Sequence, residues 1–395
     1  MTRPLAGIRV LDMSRLLPGP YASLVLADLG AEVDKLEEPG VGDYLRVMPP
    51  QRAAEDGGGD AQSSIFLLLN RDKRSIVLDM KKPEAREVLL RMLPRYDVVL
   101  EQFRPGVLDR LGLGPAAMRA ASPKLVVCSL TGYGQDGPLA QRAGHDIGYV
   151  ARAGALYAQG PSDGPPTVPG VQTADIGGAL WTVIGVLSAL ATRARTGEGS
   201  HVDVSMLEAS LGFASVPFGL LGGGVASPPG GDSLTGGLVG YGTYATKDGR
   251  AVALGALEPK FLSAFFTEVG LVVDPALFLP GPHQDETRAK LAAIFRERTQ
   301  AEWIEIASRG DYCLEPVLTP AEATSDAHLR ARGAFFDLAS PWGNLLAMRS
   351  PITPRDVTHR PPPRAGEHTR AILAESGFGE EEVAALAARG VIPRA

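Results

Sequence analysis

Three residues of the sequence have side chains that could move a proton or attack a carbonyl group. His145 stands in the stretch "AGHDIGY", Asp175 in "TADIGG" and Glu258 in "GALEPKF". Histidine and carboxylate side chains are common general bases, and a carboxylate can also act as a nucleophile. Each also has an ordinary structural explanation: a core histidine, an aspartate that caps a helix, and a surface glutamate. Taken singly, none of the three establishes a site.

Asp175 directly precedes an apolar segment that predicts one long helix from Ile176 to about Thr196. At this position we expect Asp175 to be the N-cap, where its carboxylate accepts hydrogen bonds from the amides of the first turn. Gly177 and Gly178 would leave those amides uncovered, so a ligand oxyanion or carbonyl could approach the positive end of the helix. The same environment would keep the pKa of Asp175 low.

Basic side chains cluster in "LNRDKRSIVLDMKK", and Arg104 begins "RPGVLDRLGLGP". By default these are solvated loop charges. The forked guanidinium of arginine also matches phosphate oxygens, which makes Arg71, Arg74 and Arg104 candidate ligands for a nucleotide-like molecule.

The elements that must position these residues alternate between strands and helices over the first 150 residues or so. "IRVLDMS" predicts a strand, "GPYASLVLADLG" a helix that ends at Gly30, and "AEVDKLEEP" a second strand. The rhythm continues through "RSIVLDM", "DVVLEQF" and "KLVVCSLTGYG", which is typical of a doubly wound parallel sheet. The turn "SRLLPGPYA" lacks G-x-G-x-x-G, although Glu37 and Glu38 stand where a ribose-binding acid would. A nicotinamide enzyme is therefore disfavoured.

The remainder of the chain predicts a second, smaller α/β domain. We place a large domain at residues 1–205 and a glycine-rich linker at 206–242. The small domain follows at 243–325, beginning with a hairpin that turns at Asp248 and Gly249. Residues 326–395 are expected to return to the large domain.

Composition limits the classes of protein that this chain can be. It has 395 residues, 45% hydrophobic and 21% charged, as in ordinary soluble globular proteins, and its net charge of −6 disfavours nucleic acid as a partner. Cys128 and Cys313 are the only cysteines, too few for a disulfide framework or a zinc cluster. We see no signal peptide, and the longest apolar run is too short to span a bilayer. We therefore expect a cytoplasmic protein without a membrane partner or a bound metal.

Several longer segments occur in order along nearly the whole chain. They are "LNRDKRSIVLDMK", "FRPGVLDRLGLGP", "SLTGYGQDGP", "AGHDIGY", "TADIGG", "TGEGSHVDVSM" and "GALEPKF". With them the chain resembles the family III CoA transferases, which include carnitine-CoA transferases, formyl-CoA transferases and α-methylacyl-CoA racemases. The resemblance implies a Rossmann-like large domain and a smaller α/β domain in an interlocked homodimer.

Within that family, the motifs around His145 and Glu258 resemble those of the racemases. The resemblance implies that His145 and Asp175 are bases on opposite faces of the α-carbon of an acyl-CoA thioester, with Glu258 polarising the histidine. In the transferases an aspartate at the position of Asp175 attacks the thioester instead. We expect an acyl-CoA racemase or epimerase that exchanges the α-proton of a 2-methylacyl-CoA-like substrate, with a CoA transferase as the alternative.

The resemblance also predicts contacts with CoA and requires no cofactor beyond the CoA part of the substrate. The expected contacts are Leu78, Asp79, Met80, Lys81, Arg104, Gly144, Asp146 and Tyr149. Arg71 and Arg74 are added to them on the basis of their charge alone. One departure is Glu38, where the racemases carry an arginine, so one contact on the adenine side is expected to differ.

Overall fold

The structure is a computed structural model that describes residues 3–58, 60–161, 164–226 and 228–394. Residues 1, 2, 59, 162, 163, 227 and 395 belong to the predicted domain ranges but lie outside the described residues. In chain order the strands are β1 (Arg9–Asp12), β2 (Glu32–Glu37), β3 (Gln51–Arg52), β4 (Gln62–Ser63), β5 (Lys73–Val77), β6 (Val98–Glu101), β7 (Val126–Thr131), β8 (His201–Ser205), β9 (Tyr241–Ala245), β10 (Ala251–Gly255), β11 (Leu314–Pro316), β12 (Phe335–Ser340) and β13 (Gly343–Met348).

The α-helices of the described residues follow the same chain order, with short 3-10 helices at Tyr44–Val47, Leu93–Arg95, Leu156–Ala158 and Pro275–Phe278. They are α1 (Pro18–Asp28), α2 (Ser64–Leu69), α3 (Pro83–Met92), α4 (Val107–Arg110), α5 (Pro115–Ala121), α6 (Asp146–Arg152), α7 (Thr173–Thr196), α8 (Met206–Phe213), α9 (Ser215–Gly222), α10 (Pro259–Glu268), α11 (Gln284–Phe295), α12 (Gln300–Ala307), α13 (Pro320–Ser325), α14 (Ala327–Ala331), α15 (Thr369–Glu375) and α16 (Glu380–Ala388).

Contacts within the chain divide it into two compact units. The first consists of Met1–Val150, Val171–Gly212 and Ala327–Ala395, and the second of Ala151–Gly170 and Phe213–Asp326. The segment predicted to be a linker begins with α8 and α9, so its first part is helical rather than irregular. The apolar residues of "MLEASLGF" and "SVPFGLLG" outweigh the glycines there.

A six-stranded parallel sheet forms the centre of the first unit. Its strand order is β5-β2-β1-β6-β7-β8, and Val10 of β1 lies opposite Val33 on one side and Val98 on the other. The strands are nearly continuous runs of buried residues, as expected for a parallel sheet that is covered on both faces. The predicted parallel α/β fold is confirmed in this unit.

Helices cover both faces of this sheet. On one face α1 packs against α7. On the other, a single core joins side chains of the strands to α3, α5, α15 and α16, for example Leu11 and Val99 to Leu89 and Ile372. From the neighbouring strands β1 and β6 the chain continues to β2 on one side and to β7 on the other, so the connections that follow their carboxyl ends diverge and leave a crevice, the usual ligand position in such sheets.

The C-terminal segment of the first unit covers the edge strand β5. The amide of His368 donates to the carbonyl of Ser75 at 2.9 Å, and the hydroxyl of Thr369 accepts from the amide of Val77 at 3.0 Å. The edge of the sheet is thereby hydrogen-bonded to residues nearly 300 positions later in the chain.

The second unit has its own sheet and core. Strands β9, β10 and β11 form an antiparallel sheet, and the predicted hairpin between β9 and β10 is confirmed, with Gly249 at a φ of +74° in its turn. The core is aromatic: the ring of Phe295 stacks against Phe265 at 5.5 Å between centroids and lies 4.8 Å from Trp303.

Helix α7 is long and apolar enough to cross a bilayer by length and composition alone. Core helices of soluble proteins meet the same criteria, and α7 contacts α1, β7 and β8.

Candidate active site

Two of the motifs that could carry chemistry are joined by the carboxylate of Asp146. Its Oδ1 accepts hydrogen bonds from the backbone amides of Ala174 at 2.7 Å and Asp175 at 3.0 Å. The start of α6 is thereby connected to the start of α7, although 29 residues separate Asp146 from Asp175. His145 directly precedes Asp146, so this contact brings the two predicted bases to one place.

The predicted N-cap at Asp175 is wrong. Helix α7 begins at Thr173, which makes Asp175 the third residue of the helix, and Gln172 occupies the N-cap position without a capping side-chain bond. Asp146 satisfies the amides of Ala174 and Asp175 in the first turn, and the amide of Ile176 donates to the carbonyl of Gln172 at 3.1 Å. The contact of Asp146 with CoA stays a prediction.

Gly178 serves packing rather than ligand approach. A Cβ at this position would lie 2.7 Å from Cγ of Met206 and 3.2 Å from Cδ1 of Leu130. Helix α7 therefore approaches β7 and the start of α8 more closely than any larger residue would allow.

The pKa of Asp175 is raised to about 6 from its usual value of 3.8. Burial is the largest cause and the neighbouring carboxylate of Asp146 adds to it, while His145 acts in the opposite direction. The low pKa expected from the sequence is wrong, because the carboxyl group is largely buried and faces the negative charge of Asp146. At neutral pH the side chain is mostly ionised and is a stronger base than an ordinary aspartate.

His145 lies in the loop before α6 and is exposed, which excludes the core explanation of this residue. Its carbonyl accepts from the amide of Gly148 at 2.8 Å, which begins the helix, and among the described residues its ring makes no hydrogen bond. The imidazole is thus free to meet a substrate from the solvent side.

The ring of Tyr149 forms one wall beside His145. Cβ atoms at Gly132 and Gly144 would lie 2.5 Å and 2.6 Å from atoms of this tyrosine, so only glycine fits at either position. Tyr133 contacts the same ring edge-to-face, with 5.1 Å between centroids. Burial, with the nearby Tyr133 and Asp175, raises the pKa of Tyr149 to about 12, so its hydroxyl stays a hydrogen-bond donor at neutral pH.

An open cleft collects several of the predicted residues. Arg104, Gly144, His145 and Tyr149 line it, together with residues that the sequence analysis had not singled out, Gln102, Phe103, Arg142 and Met206 among them. The predicted contacts at Arg104, Gly144 and Tyr149 therefore lie beside the predicted base.

A second crevice opens at the carboxyl ends of β1, β2, β5 and β6. Its lining includes Ser14, Arg15, Glu38, Met80 and Phe103. Met80 was predicted as a CoA contact. Phe103 lines both hollows and so lies between them.

The other residues predicted between β5 and α3 have different surroundings. The side chain of Leu78 is part of the core, so its predicted contact could involve only the backbone. Asp79 accepts from the amide of Lys81 at 3.0 Å, and Lys81 is exposed. Glu37 is buried and holds Arg46 at 2.7 Å, so it is not the free ribose-binding acid that the sequence suggested.

The predicted phosphate contacts of Arg71 and Arg74 are wrong. The guanidinium of Arg71 is buried and donates to Asp28 at 2.6 Å and Asp72 at 2.7 Å. All three nitrogens of Arg74 donate to the carboxylates of Asp34 and Glu375. The sequence showed their charge but not the acidic partners, which come from distant parts of the chain.

Glu258 lies in the second unit, at the N-cap position of α10, where it is exposed and makes no capping side-chain bond. The side chain of Glu258 therefore does not cap α10. Its action on His145 stays a prediction.

Sequence reasoning missed Gln102, Phe103, Ser14 and Arg15 as residues of the two hollows. Each directly follows or nearly follows the last residue of a parallel strand, β6 or β1. The rule that ligands bind at the carboxyl ends of such strands could have found them.

The fold and the cleft define the class of protein. The family model described as CoA-transferase family III matches residues 5–369, and the chain belongs to this family. The predicted resemblance is confirmed.

Among its relatives, human alpha-methylacyl-CoA racemase is 37% identical over 390 residues, which cover 96% of this chain and 95% of that protein. Mouse succinyl-CoA:glutarate CoA-transferase is 31% identical over 402 residues, covering 99% of this chain and 90% of that protein. The crystal structure of a CAIB/BAIF family protein from Brucella suis superposes with a TM-score of 0.82 at 31% identity, and covers 95% of this chain and 100% of that chain. These relatives indicate an enzyme and include both racemases and transferases.

Proposed function

We propose that the protein is an acyl-CoA racemase or epimerase that exchanges the α-proton of a 2-methylacyl-CoA-like thioester. The observation that carries this proposal is the pairing of two proton-handling groups at one place, the exposed imidazole of His145 and the Asp175 carboxyl with its pKa of about 6. The similarity to the human racemase over almost the whole chain supports it.

In the proposed reaction one base removes the proton from the α-carbon and the electron pair moves into the thioester to form an enolate. The other group, in its protonated form, then returns a proton to the opposite face, so the α-carbon inverts with no net change of atoms. Asp175 can act in both directions near neutral pH because its pKa lies close to that range. Donors for the enolate oxygen must come from groups other than the amides of Ala174 and Asp175, which Asp146 holds.

We propose that the CoA part lies along the crevice and cleft on either side of Phe103. Arg104 and Arg142, in the cleft, are the cations offered there to the diphosphate. Glu258 polarises His145 in the proposal, and the working form is a homodimer. Both of these statements rest on the family resemblance.

Deuterium exchange tests the proposal directly. A 2-methylacyl-CoA incubated with the protein in deuterated water is expected to gain one deuterium at the α-carbon and to lose its configuration, followed by mass spectrometry and chiral chromatography. His145→Gln and Asp175→Asn are expected to lower the rate at least a hundredfold. Full exchange by His145→Gln would show that the imidazole is not one of the two bases.

A family III CoA transferase is the second candidate, and the similarity to succinyl-CoA:glutarate CoA-transferase favours it. In this reaction the Asp175 carboxylate attacks the thioester carbonyl and releases CoA thiolate, giving a mixed anhydride. The thiolate then attacks the aspartyl carbonyl, which releases the first carboxylate and leaves CoA as a thioester on Asp175. The acceptor carboxylate attacks this thioester and releases the thiolate, which then attacks the acyl carbonyl of the second anhydride to give the new acyl-CoA and free Asp175. Transfer of CoA to an added carboxylic acid, with trapping of Asp175 by hydroxylamine and no α-exchange, would replace the first proposal with this one.

A further inference from the structure

A buried carboxyl group lies directly behind the residue that separates the two hollows. Glu101 is the last residue of β6, and its side chain is only 3% exposed. Its Oε2 accepts a hydrogen bond from the backbone amide of Phe103 at 2.8 Å. Glu101 thereby fixes the turn that places Phe103 in both hollows and Gln102 and Arg104 in the cleft.

Glu101 is also joined to the surface of the molecule. Ser129 lies opposite it on β7, and the Ser129 hydroxyl lowers the pKa of Glu101. The Oγ of Ser129 lies 2.9 Å from Nε2 of His201, an exposed residue at the start of β8. Three neighbouring strands thus place the polar side chains of Glu101, Ser129 and His201 in a row from the Phe103 turn to an exposed residue.

Several charged groups surround Glu101 and His201. The carboxylates of Asp109 and Asp203 act on both Glu101 and His201. Arg119 also acts on His201. Cys128 lies next to Glu101 on the neighbouring strand. Burial is the largest cause that raises the pKa of Glu101 to about 7, and Asp109 and Asp203 add to it. The carboxyl therefore changes its charge in the physiological range.

We propose that Glu101 is a positioning residue for CoA binding, because its ionised carboxylate holds the Phe103 turn by accepting from the amide of Phe103. This inference rests on the proposed binding of CoA at the two hollows. An ionised acceptor binds an N–H and an O–H more strongly than a neutral one. When Glu101 gains a proton, the turn is held less firmly and CoA affinity falls.

The test is isothermal titration calorimetry of the full-length protein with free CoA between pH 5.5 and 8.5, which requires no turnover. The phosphates of CoA titrate in the same range, so the informative quantity is the difference between wild type and Glu101→Gln, whose side chain keeps an acceptor but cannot ionise. From pH 8 to pH 6 the wild-type affinity is expected to fall about fivefold more than that of Glu101→Gln.

Ser129→Ala provides a second variant, in case Glu101→Gln folds poorly. Removing the Ser129 hydroxyl takes away a bond that lowers the pKa of Glu101, so the affinity transition is expected to move to higher pH. Glu375→Gln is the matched control: it removes a carboxylate from Arg74 and Arg95 away from both hollows and is expected to leave the pH profile unchanged.

Superimposable profiles of wild type and Glu101→Gln, with CoA bound by both, would overturn the role of Glu101 alone. An unmoved transition in Ser129→Ala would likewise overturn it. Failure of the wild-type protein to bind CoA at any pH would overturn the proposed function together with this inference. If the protein catalyses deuterium exchange but wild type and Glu101→Gln have the same pH profile of CoA affinity, the proposed function stands and this inference does not.

Discussion

The Asp175 carboxylate is more costly to keep ionised in the folded protein than in the unfolded chain. Its pKa is raised from 3.8 to about 6, chiefly by burial and by the carboxylate of Asp146. The folded state therefore prefers the protonated form, and the resulting penalty is fully present above pH 6 and disappears as the pH falls below 3.8. An active site is where such a penalty is expected.

Replacing this carboxylate with its neutral isostere should stabilise the fold while it stops the reaction. Asp175→Asn is expected to raise the free energy of unfolding at pH 8 by about 1–2 kcal/mol, and the gain should shrink between pH 6 and pH 4. Urea unfolding at these pH values measures it. Asp136→Asn, at an exposed position, is the matched control, and a gain of equal size at pH 4 and pH 8 would contradict the argument.

Asp146 sets the working pH range of Asp175. Asp146→Asn keeps an oxygen that can accept from the two amides of α7 but removes the negative charge that raises the pKa of Asp175. The acidic limb of kcat/KM for deuterium exchange is expected to move from about 6 to lower pH. A limb that stays in place or moves upward would mean that Asp146 is not a source of the shift.

At the scale of single residues, the sequence indicated which side chains could do chemistry but not their partners. His145 and Asp175 were found by type and motif, and the structure brings them together. The roles of Arg71 and Arg74 were mistaken because each depends on a partner distant in sequence, such as Asp28 for Arg71. A sequence shows which side chains are charged, but the ion pairs that neutralise them form only when the chain folds.

At the scale of elements, the position of Asp175 depends on how closely α7 can approach β7. Gly178→Ala would push a Cβ to 2.7 Å from Met206, so we expect the overpacking cost to exceed the gain in helix propensity. The free energy of unfolding should fall by about 1 kcal/mol, and exchange activity should fall with it because the start of α7 moves. Denaturant unfolding and the exchange assay measure the two effects.

Gly219→Ala is the matched control for this substitution. Gly219 lies within α9, where a Cβ would meet open space. Helix propensity alone should then raise the stability by up to about 1 kcal/mol. Equal effects of the two substitutions would show that the contact of Gly178 with Met206 does not constrain α7.

Among the elements, those with a clear period or a clear end signal were predictable. Strand β1, helix α1 and the hairpin β9–β10 follow from buried apolar runs, a helix that stops before Gly30, and Asp248-Gly249. The hairpin β12–β13 was missed because Leu346 and Met348 stand on the exposed face of β13, so its sequence lacks the apolar–polar alternation that indicates a strand. The start of α7 was misplaced because its cap comes from another helix rather than from the local sequence.

At the scale of the whole first unit, Arg71 ties the N-terminal part to the C-terminal segment. Besides Asp28 and Asp72, it donates to the carbonyl of Met348 at 2.9 Å, and Asp72 holds His359 at 2.7 Å. The guanidinium supplies the positive charge among Asp28, Asp72 and His359, which lie close enough together to resemble a metal site.

Removing this cation should be far more damaging than removing an exposed one. Arg71→Met leaves two buried carboxylates without their partner and is expected to cost about 3–5 kcal/mol of stability. Arg9→Met, the matched control, breaks an exposed pair with Glu32 and should cost less than about 1 kcal/mol. Thermal unfolding measures both effects. If Arg71→Met were as stable as wild type but bound CoA more weakly, Arg71 would be a phosphate ligand after all.

The cover of β5 by residues that include His368 and Thr369 has a consequence for synthesis of the chain. When the first 150 residues leave the ribosome they can form five of the six strands of the sheet, but the edge strand β5 must wait for more than 200 further residues before its free amides and carbonyls are occupied. During that interval the unpaired edge strand of a newly made chain can pair with strands of other nascent chains. Chains truncated before this segment should therefore aggregate in the cell, and a synthetic peptide that carries the segment should reduce the aggregation.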